Sequence, residues 1–192
     1  MQFDLGIFGK KNLDNASEFY QRFNIQLPTW QKPQNIALSF SKTLFNDDEN
    51  DDFYGDDSFY ADNINSDSLN QLQNLLLKNL QADYLADLDK TARQFFSNSA
   101  LQNAQQKHLI QDFIDEHFEN ISDELWQYHQ IHNNNGTDFL AKLSLSAIHF
   151  WRIEQQICTV LDYAIDGDLS DQLLVIYFDQ DAQIINISHD SE

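Results

Sequence analysis

Apolar residues recur along this chain in two rhythms, and the change between them divides it. Over 13–23, Leu13, Ala16, Phe19, Tyr20 and Phe23 fall at helical spacing, and Pro28 closes the segment. Ile36, Leu38 and Phe40 then alternate with Ala37, Ser39 and Ser41, which predicts a half-buried strand over 36–44. From 68 to 132 the rhythm is helical. Leu69, Leu72, Leu76 and Leu80 share a face behind an N-cap at Ser66 or Asp67, and the pattern continues through Tyr84, Leu85 and Leu88. A second helix carries Leu109, Ile110, Phe113, Ile114, His117 and Phe118. A short third helix starts at Ser122 and carries Leu125, Trp126 and Tyr128. Asn133, Asn134, Asn135 and Gly136 tolerate left-handed backbone and end it.

Residues 137–192 read as strands, at 143–151, 156–165, 173–178 and 184–188. The links between them are short: Glu154-Gln155, Asp166-Gly167-Asp168 and Gln180-Asp181. Short links between successive strands imply an antiparallel, four-stranded meander. Helices on one face of an antiparallel sheet give a two-layer α+β fold. The expected organisation is one domain: a mixed part at 1–45, a loop at 46–67, helices at 68–132 and the meander at 137–192. The pattern leaves open where the strand at 36–44 enters the sheet.

Charge changes this picture most. Asp and Glu number 31 against 11 Lys and Arg, a formal net charge of −20. Such a chain repels phosphate backbones and anionic lipid surfaces, so neither nucleic acid nor membrane is expected as a partner. It attracts basic proteins and speeds encounter with them, although acidity also serves solubility alone. The acids concentrate at 46–67, where Asp47, Asp48, Glu49, Asp51, Asp52, Asp56, Asp57, Asp62 and Asp67 occur with no Lys or Arg. Phe53, Tyr54, Phe59 and Tyr60 are interleaved with them. A merely solubilising loop has no need of large rings. Aromatic anchors ringed by carboxylates are the chemistry of a protein contact, while packing of the rings onto their own domain is the competing reading.

The remaining chemistry is sparse. No glycine-rich phosphate loop ends in Lys-Ser or Lys-Thr, and the nucleophile elbow of serine hydrolases is absent. Aligning Gly55 with the glycine of a calcium-binding EF-hand loop places Asn50, Asp52 and Tyr54 at the first ligand positions and Ala61 at the last, which breaks the pattern. His129 and His132 are three apart, downstream of Asp123 and Glu124, and could share a helix face as metal ligands. Histidines at a helix end also complement its dipole, and that is the plainer account. His117 and His149 read as packed or hydrogen-bonded residues. Cys158, the one cysteine, lies among apolar residues and reads as core; it can form no internal disulfide. The N-terminus carries no basic-then-apolar leader, and no apolar run reaches membrane-spanning length. No cofactor is expected, and the expected compartment is the cytoplasm.

The segment 139–192 carries a resemblance. Its marks are the strand through Leu143 to Phe150, Val160-Leu161-Asp162-Tyr163-Ala164-Ile165, the stretch from Leu169 to Asp179, and the closing Ile185-Asn186-Ile187-Ser188. It resembles a family of bacterial domains of unknown function that end in such a meander. It is also similar in style to immunity proteins of polymorphic and contact-dependent toxin systems. The resemblance implies a small, acidic, non-enzymatic protein that neutralises a cognate toxin by binding it, a basic nuclease-type toxin being one such partner. Its motifs are strand and turn residues, which transfer fold better than function, and 46–67 lies outside it. On this expectation Asp47, Asp48, Glu49, Asp51, Asp52, Phe53, Tyr54, Asp56, Asp57, Phe59 and Tyr60 contact the toxin. The alternatives are a soluble housekeeping protein and a metal-dependent enzyme built on His129 and His132.

Overall fold

The computed structural model describes residues 18–27, 34–41, 74–75, 78, 81–121, 126, 135–153, 156–165 and 170–191. Within them six strands form one sheet in chain order: β1 (Glu18–Ile25), β2 (Gln34–Ser41), β3 (Ser144–Ile153), β4 (Gln156–Ala164), β5 (Gln172–Phe178) and β6 (Ile184–Ser191). Between β2 and β3 the described residues include the helices α1 (Ala82–Ser97), α2 (Ala104–Asn120) and α3 (Gly136–Lys142). This is an α+β fold.

β3 to β6 form the expected antiparallel meander. β1 and β2 make a second antiparallel pair, and the two units join through β2 and β3, which run parallel with Ala37 opposite Ala147 and Phe40 opposite Phe150. The sheet is therefore mixed. A parallel pair cannot be closed by a tight turn; its connection must cross a face of the sheet. Here that connection carries α1, α2 and α3, which is how one face comes to be covered.

Two sequence expectations are corrected. Residues 18–23, read as helical, lie in β1. Phe19, Tyr20, Phe23 and Ile25 are strand formers, and the full-length pairing with β2 outweighs a helical spacing that short. Second, Asn135 begins a helix: its side chain accepts from the backbone N–H of Thr137 at 3.1 Å and of Asp138 at 3.5 Å. Asp138 in the first turn and Lys142 in the last suit the helix dipole. A Cβ added to Gly136 would sit 3.0 Å from Ile114 Cδ1, so this glycine permits the close approach of α3 to α2.

The helices bury the faces that their sequences predict. α1 turns Leu85, Leu88, Ala92 and Phe96 inward, and α2 turns Ile110, Phe113, Ile114 and His117. A capping box between Asn103 and Gln106 starts α2. Opposite them lie Ile36 and Leu38 of β2, Ile148 and Phe150 of β3, Leu161 and Tyr163 of β4, and Leu174, Ile176 and Phe178 of β5. A second, smaller apolar cluster of Val160, Leu173 and Val175 occupies the alternate strand positions and so the other face of the sheet. Among the described residues no helix is long and apolar enough to cross a membrane.

Candidate functional site

The acidic and aromatic contact residues expected between Asp47 and Tyr60 lie outside the described residues, as do His129 and His132. Cys158 is where its neighbours predicted, fully buried on β4. Burial pushes its thiol above the ordinary range, with the negative charge of Asp179 adding to the effect. A thiol held protonated is a poor nucleophile.

Three polar groupings are visible only in the structure. The first crosses the middle of the sheet on the face away from the helices. Adjacent strands align Ser39 of β2 beside His149 of β3, and Asp162 of β4 reaches the same ring. His149 Nε2 lies 2.5 Å from Asp162 Oδ2, and Nδ1 contacts the Ser39 hydroxyl. With the ring neutral, the carboxylate accepts from Nε2–H and Nδ1 accepts from Ser39. A bulge between Leu145 and Ala147 lets the Ser146 hydroxyl donate to the Asp162 carbonyl at 3.2 Å.

Serine, histidine and aspartate in series are the elements of a nucleophilic triad, although here Nδ1 rather than Nε2 faces the serine. Acyl transfer also needs donors aimed at a developing oxyanion, each worth roughly 10²–10³ in rate. Ser39 sits within a strand paired on both sides, where neighbouring backbone N–H groups serve the sheet ladders. The grouping is suited to bracing three strands across a partly wet face. A fluorophosphonate probe is accordingly expected to leave the protein unlabelled; a Ser39 adduct by mass spectrometry would make this face an active site. The signal in the sequence was Asp162, an acid inside the continuous apolar run from Val160 to Ala164. A buried carboxylate needs partners.

The second grouping lies between the layers. Asp89 on α1 is 1% exposed, and Arg93 Nε donates to both its oxygens at 3.1 Å. The Tyr163 hydroxyl of β4 donates to Asp89 Oδ1 at 2.9 Å, and an Arg93 guanidinium nitrogen donates to the Leu143 carbonyl at 3.0 Å. Burial, reinforced by Asp89, pushes the Tyr163 hydroxyl well above the ordinary phenol range, so it stays a donor. This network ties α1 to the start of β3 and to β4. Its sequence signal was the four-residue spacing of Asp89 and Arg93, with the acid on the buried face of a helix.

The third is a cleft of about 180 Å³ at the C-terminal end of α2, lined by Glu116, His117, Asn120, Ile121, Ser170, Asp171 and Gln172. His117 is 2% exposed, wedged between the rings of Phe113 and Phe139 at 4.4 and 4.9 Å. Its Nδ1 donates to the Phe113 carbonyl at 2.7 Å, and its Nε2 has no hydrogen-bond partner among the described residues. Burial lowers the His117 pKa, so the ring is neutral near pH 7 and Nε2 is a bare acceptor. Beside it, His189 of β6 stands 3.5 Å from a Glu116 carboxylate oxygen and 2.8 Å from the Gln172 side-chain oxygen. Among the described residues no three His, Cys, Asp or Glu side chains converge closely enough to hold a metal ion.

The helix leading into this cleft is charged against its own dipole. Lys107 lies in its first turn, while Asp112, Asp115, Glu116 and Glu119, all exposed, crowd its C-terminal half. Their three- and four-residue spacings also place like charges side by side. Glu119, in the last turn, costs roughly a few tenths of a kcal/mol where a base would be favourable. Part of this crowding is met locally: His108 lies 3.0 Å from an Asp112 carboxylate oxygen, the Gln111 amide donates to Asp115 at 2.7 Å, and His189 lies 3.5 Å from Glu116. Comparison with protein-family models, curated proteins and solved structures finds no match to this chain.

Proposed function

We propose that the protein is an immunity-type binding protein, which neutralises a basic bacterial toxin in the cytoplasm by covering it rather than by chemistry. The observation that carries this reading is the net charge of −20, expressed on the fold as an acidic half-helix set against its own dipole at the mouth of a cleft. A basic partner would relieve both the repulsion between neighbouring acids and the clash with the helix end. The stretch 46–67 contributes the same chemistry, with Asp47, Asp48, Glu49, Asp51, Asp52, Asp56 and Asp57 for attraction and Phe53, Tyr54, Phe59 and Tyr60 as anchors. Opposite charge accelerates encounter by roughly 10–10³-fold at low ionic strength. If the toxin cleaves nucleic acid, these carboxylates stand where phosphates would bind.

The test is co-expression with the product of the adjacent gene, followed by purification at low salt and measurement of association rates. A one-to-one complex with a basic protein, whose association rate falls steeply between 50 and 500 mM salt (~10-fold or more), is the expected result. No complex, or a rate indifferent to salt, would return the protein to a housekeeping role in which acidity only keeps it soluble.

A further inference from the structure

Resting on that reading, we propose that β6 is where the partner docks: an extended basic segment of the toxin adds to its open edge as a further strand. β6 is the last strand of the sheet, with β5 on one side and, among the described residues, no strand on the other. Every second residue of such a strand turns its backbone N–H and C=O outward. Among the described residues no backbone hydrogen bond outside the β5 ladder reaches Ile184–Ser191. The edge is also open to solvent: Ile185 is 44% exposed, and Asn186, Asp190 and Ser191 are exposed. At eight residues it runs about 26 Å. Edges of this length are ordinarily guarded by Lys, Pro or a bulge that twists them away. β6 has no Lys, Arg or Pro, and its one acid, Asp190, lies near its end.

The chemistry around the edge selects the occupant. Ile187 and His189 face the helices, His189 edge-on to Phe113 at 5.1 Å. Alternation turns Asn186, Ser188 and Asp190 to the other face, where the Ser188 hydroxyl donates to Asp190 at 2.8 Å. α2 is the helix above this edge. One of its flanks meets α3 through Ile114 and Phe118. The opposite flank carries Glu116, 3.5 Å from His189, and the exposed Asp112 one turn before it. A strand added to β6 thus has Asp112 and Glu116 over one of its faces and Asp190 beside the other. Lys or Arg at alternate positions answers the acids of α2, and β-branched residues between them suit the pleat. A second copy of this chain fits poorly, since it would bring its own Asp190 and a further net charge of −20 to the same acids.

The probe is a capped eight-residue peptide of alternating lysine and threonine, set against the same peptide N-methylated at every residue, which keeps the charge but can donate no ladder bond. Binding is followed by calorimetry and by amide hydrogen exchange along β6 in NMR. Two double variants add the same charge: Ile185→Lys with Asn186→Lys on the edge, and Gln94→Lys with Ser97→Lys on α1. The expected result is slowed exchange at alternate β6 amides, by about tenfold at saturation. Binding should be about tenfold weaker for the methylated peptide and for the edge variant, ~1.4 kcal/mol. The α1 variant should lose less than about twofold, as expected where attraction is only long-range. Equal losses in the two variants, undiminished binding of the methylated peptide, or unchanged exchange along β6 would overturn the proposal. The co-expressed complex separates this outcome from failure of the wider reading. A complex that forms as tightly with the edge variant removes β6 and leaves neutralisation standing. Absence of any complex removes neutralisation, while the peptide result still decides whether β6 accepts a strand.

Discussion

Phe139→Ala is expected to lower the stability of the protein by about 3–5 kcal/mol, the range for emptying an aromatic site that cannot collapse. Phe139 is fully buried on α3 at the centre of a cluster of rings. His117 lies 4.9 Å from it, Phe113 and Trp126 at 5.7 Å, and Phe118 at 5.8 Å. These tilted and edge-on contacts add about 0.5–1.5 kcal/mol per pair beyond burial. The neighbours are fixed by α2 and by the helical residue Trp126, so they have little freedom to fill the space. Phe139→Leu keeps most of the volume and should cost about 1 kcal/mol. Urea unfolding of both variants provides the check. A loss below about 1 kcal/mol for the alanine variant would mean that these rings are not packed as one unit. Because His117 leans on the same ring, the alanine variant should also disturb the cleft at the end of α2, while the leucine variant preserves it.

Arg93→Met is expected to have the second large effect, again about 3–5 kcal/mol, by stripping the guanidinium from a carboxylate that is 1% exposed. The two partners are not equivalent. Arg93 is 31% exposed and also donates to the Leu143 carbonyl, so removing the acid leaves a cation that can still reach water. Asp89→Leu should therefore cost less than Arg93→Met. Its cost is set mainly by the Tyr163 hydroxyl, which loses its acceptor in a fully buried position, at about 1–3 kcal/mol. The triple replacement Asp89→Leu, Arg93→Met and Tyr163→Phe should recover much of the loss, since an apolar trio of similar size needs no desolvated charges. Thermal or urea unfolding of the series tests this. If Asp89→Leu proves the more damaging of the two, the asymmetry drawn from exposure is wrong.

The meander was legible because each of its strands is a short apolar run bounded by turn residues, and local links leave only one way to pair them. α2 was legible because Ile110, Phe113, Ile114 and His117 repeat at helical spacing and are all buried. β1 was misread because five apolar residues in eleven fit a helix as well as a strand, and only pairing with β2, a tertiary fact, decides between them. The parallel placement of β2 had no local signal at all: nothing in Ile36 to Phe40 names a partner more than a hundred residues away. The polar groupings were hidden for the same reason. Ser39, His149 and Asp162 are ordinary strand residues until three strands align them. The cleft, too, draws on the end of α2 and on the residues that enter β5, which meet only in the folded chain.

The parallel seam between β2 and β3 also sets a clock. Ala37 and Ala147 are 110 residues apart, whereas the strands of every other seam follow one another closely along the chain. At roughly 5–20 residues per second, a ribosome presents the β1–β2 hairpin about 5–20 s before β3 exists to receive it. Over that interval β2 holds an open edge, with Ile36 and Leu38 lacking the strands that later flank them and gaining the helices only as these are made. The local pairings of the meander form quickly once made; the hairpin must wait, and the waiting strand is the part of the nascent chain most exposed to pairing with the wrong neighbour.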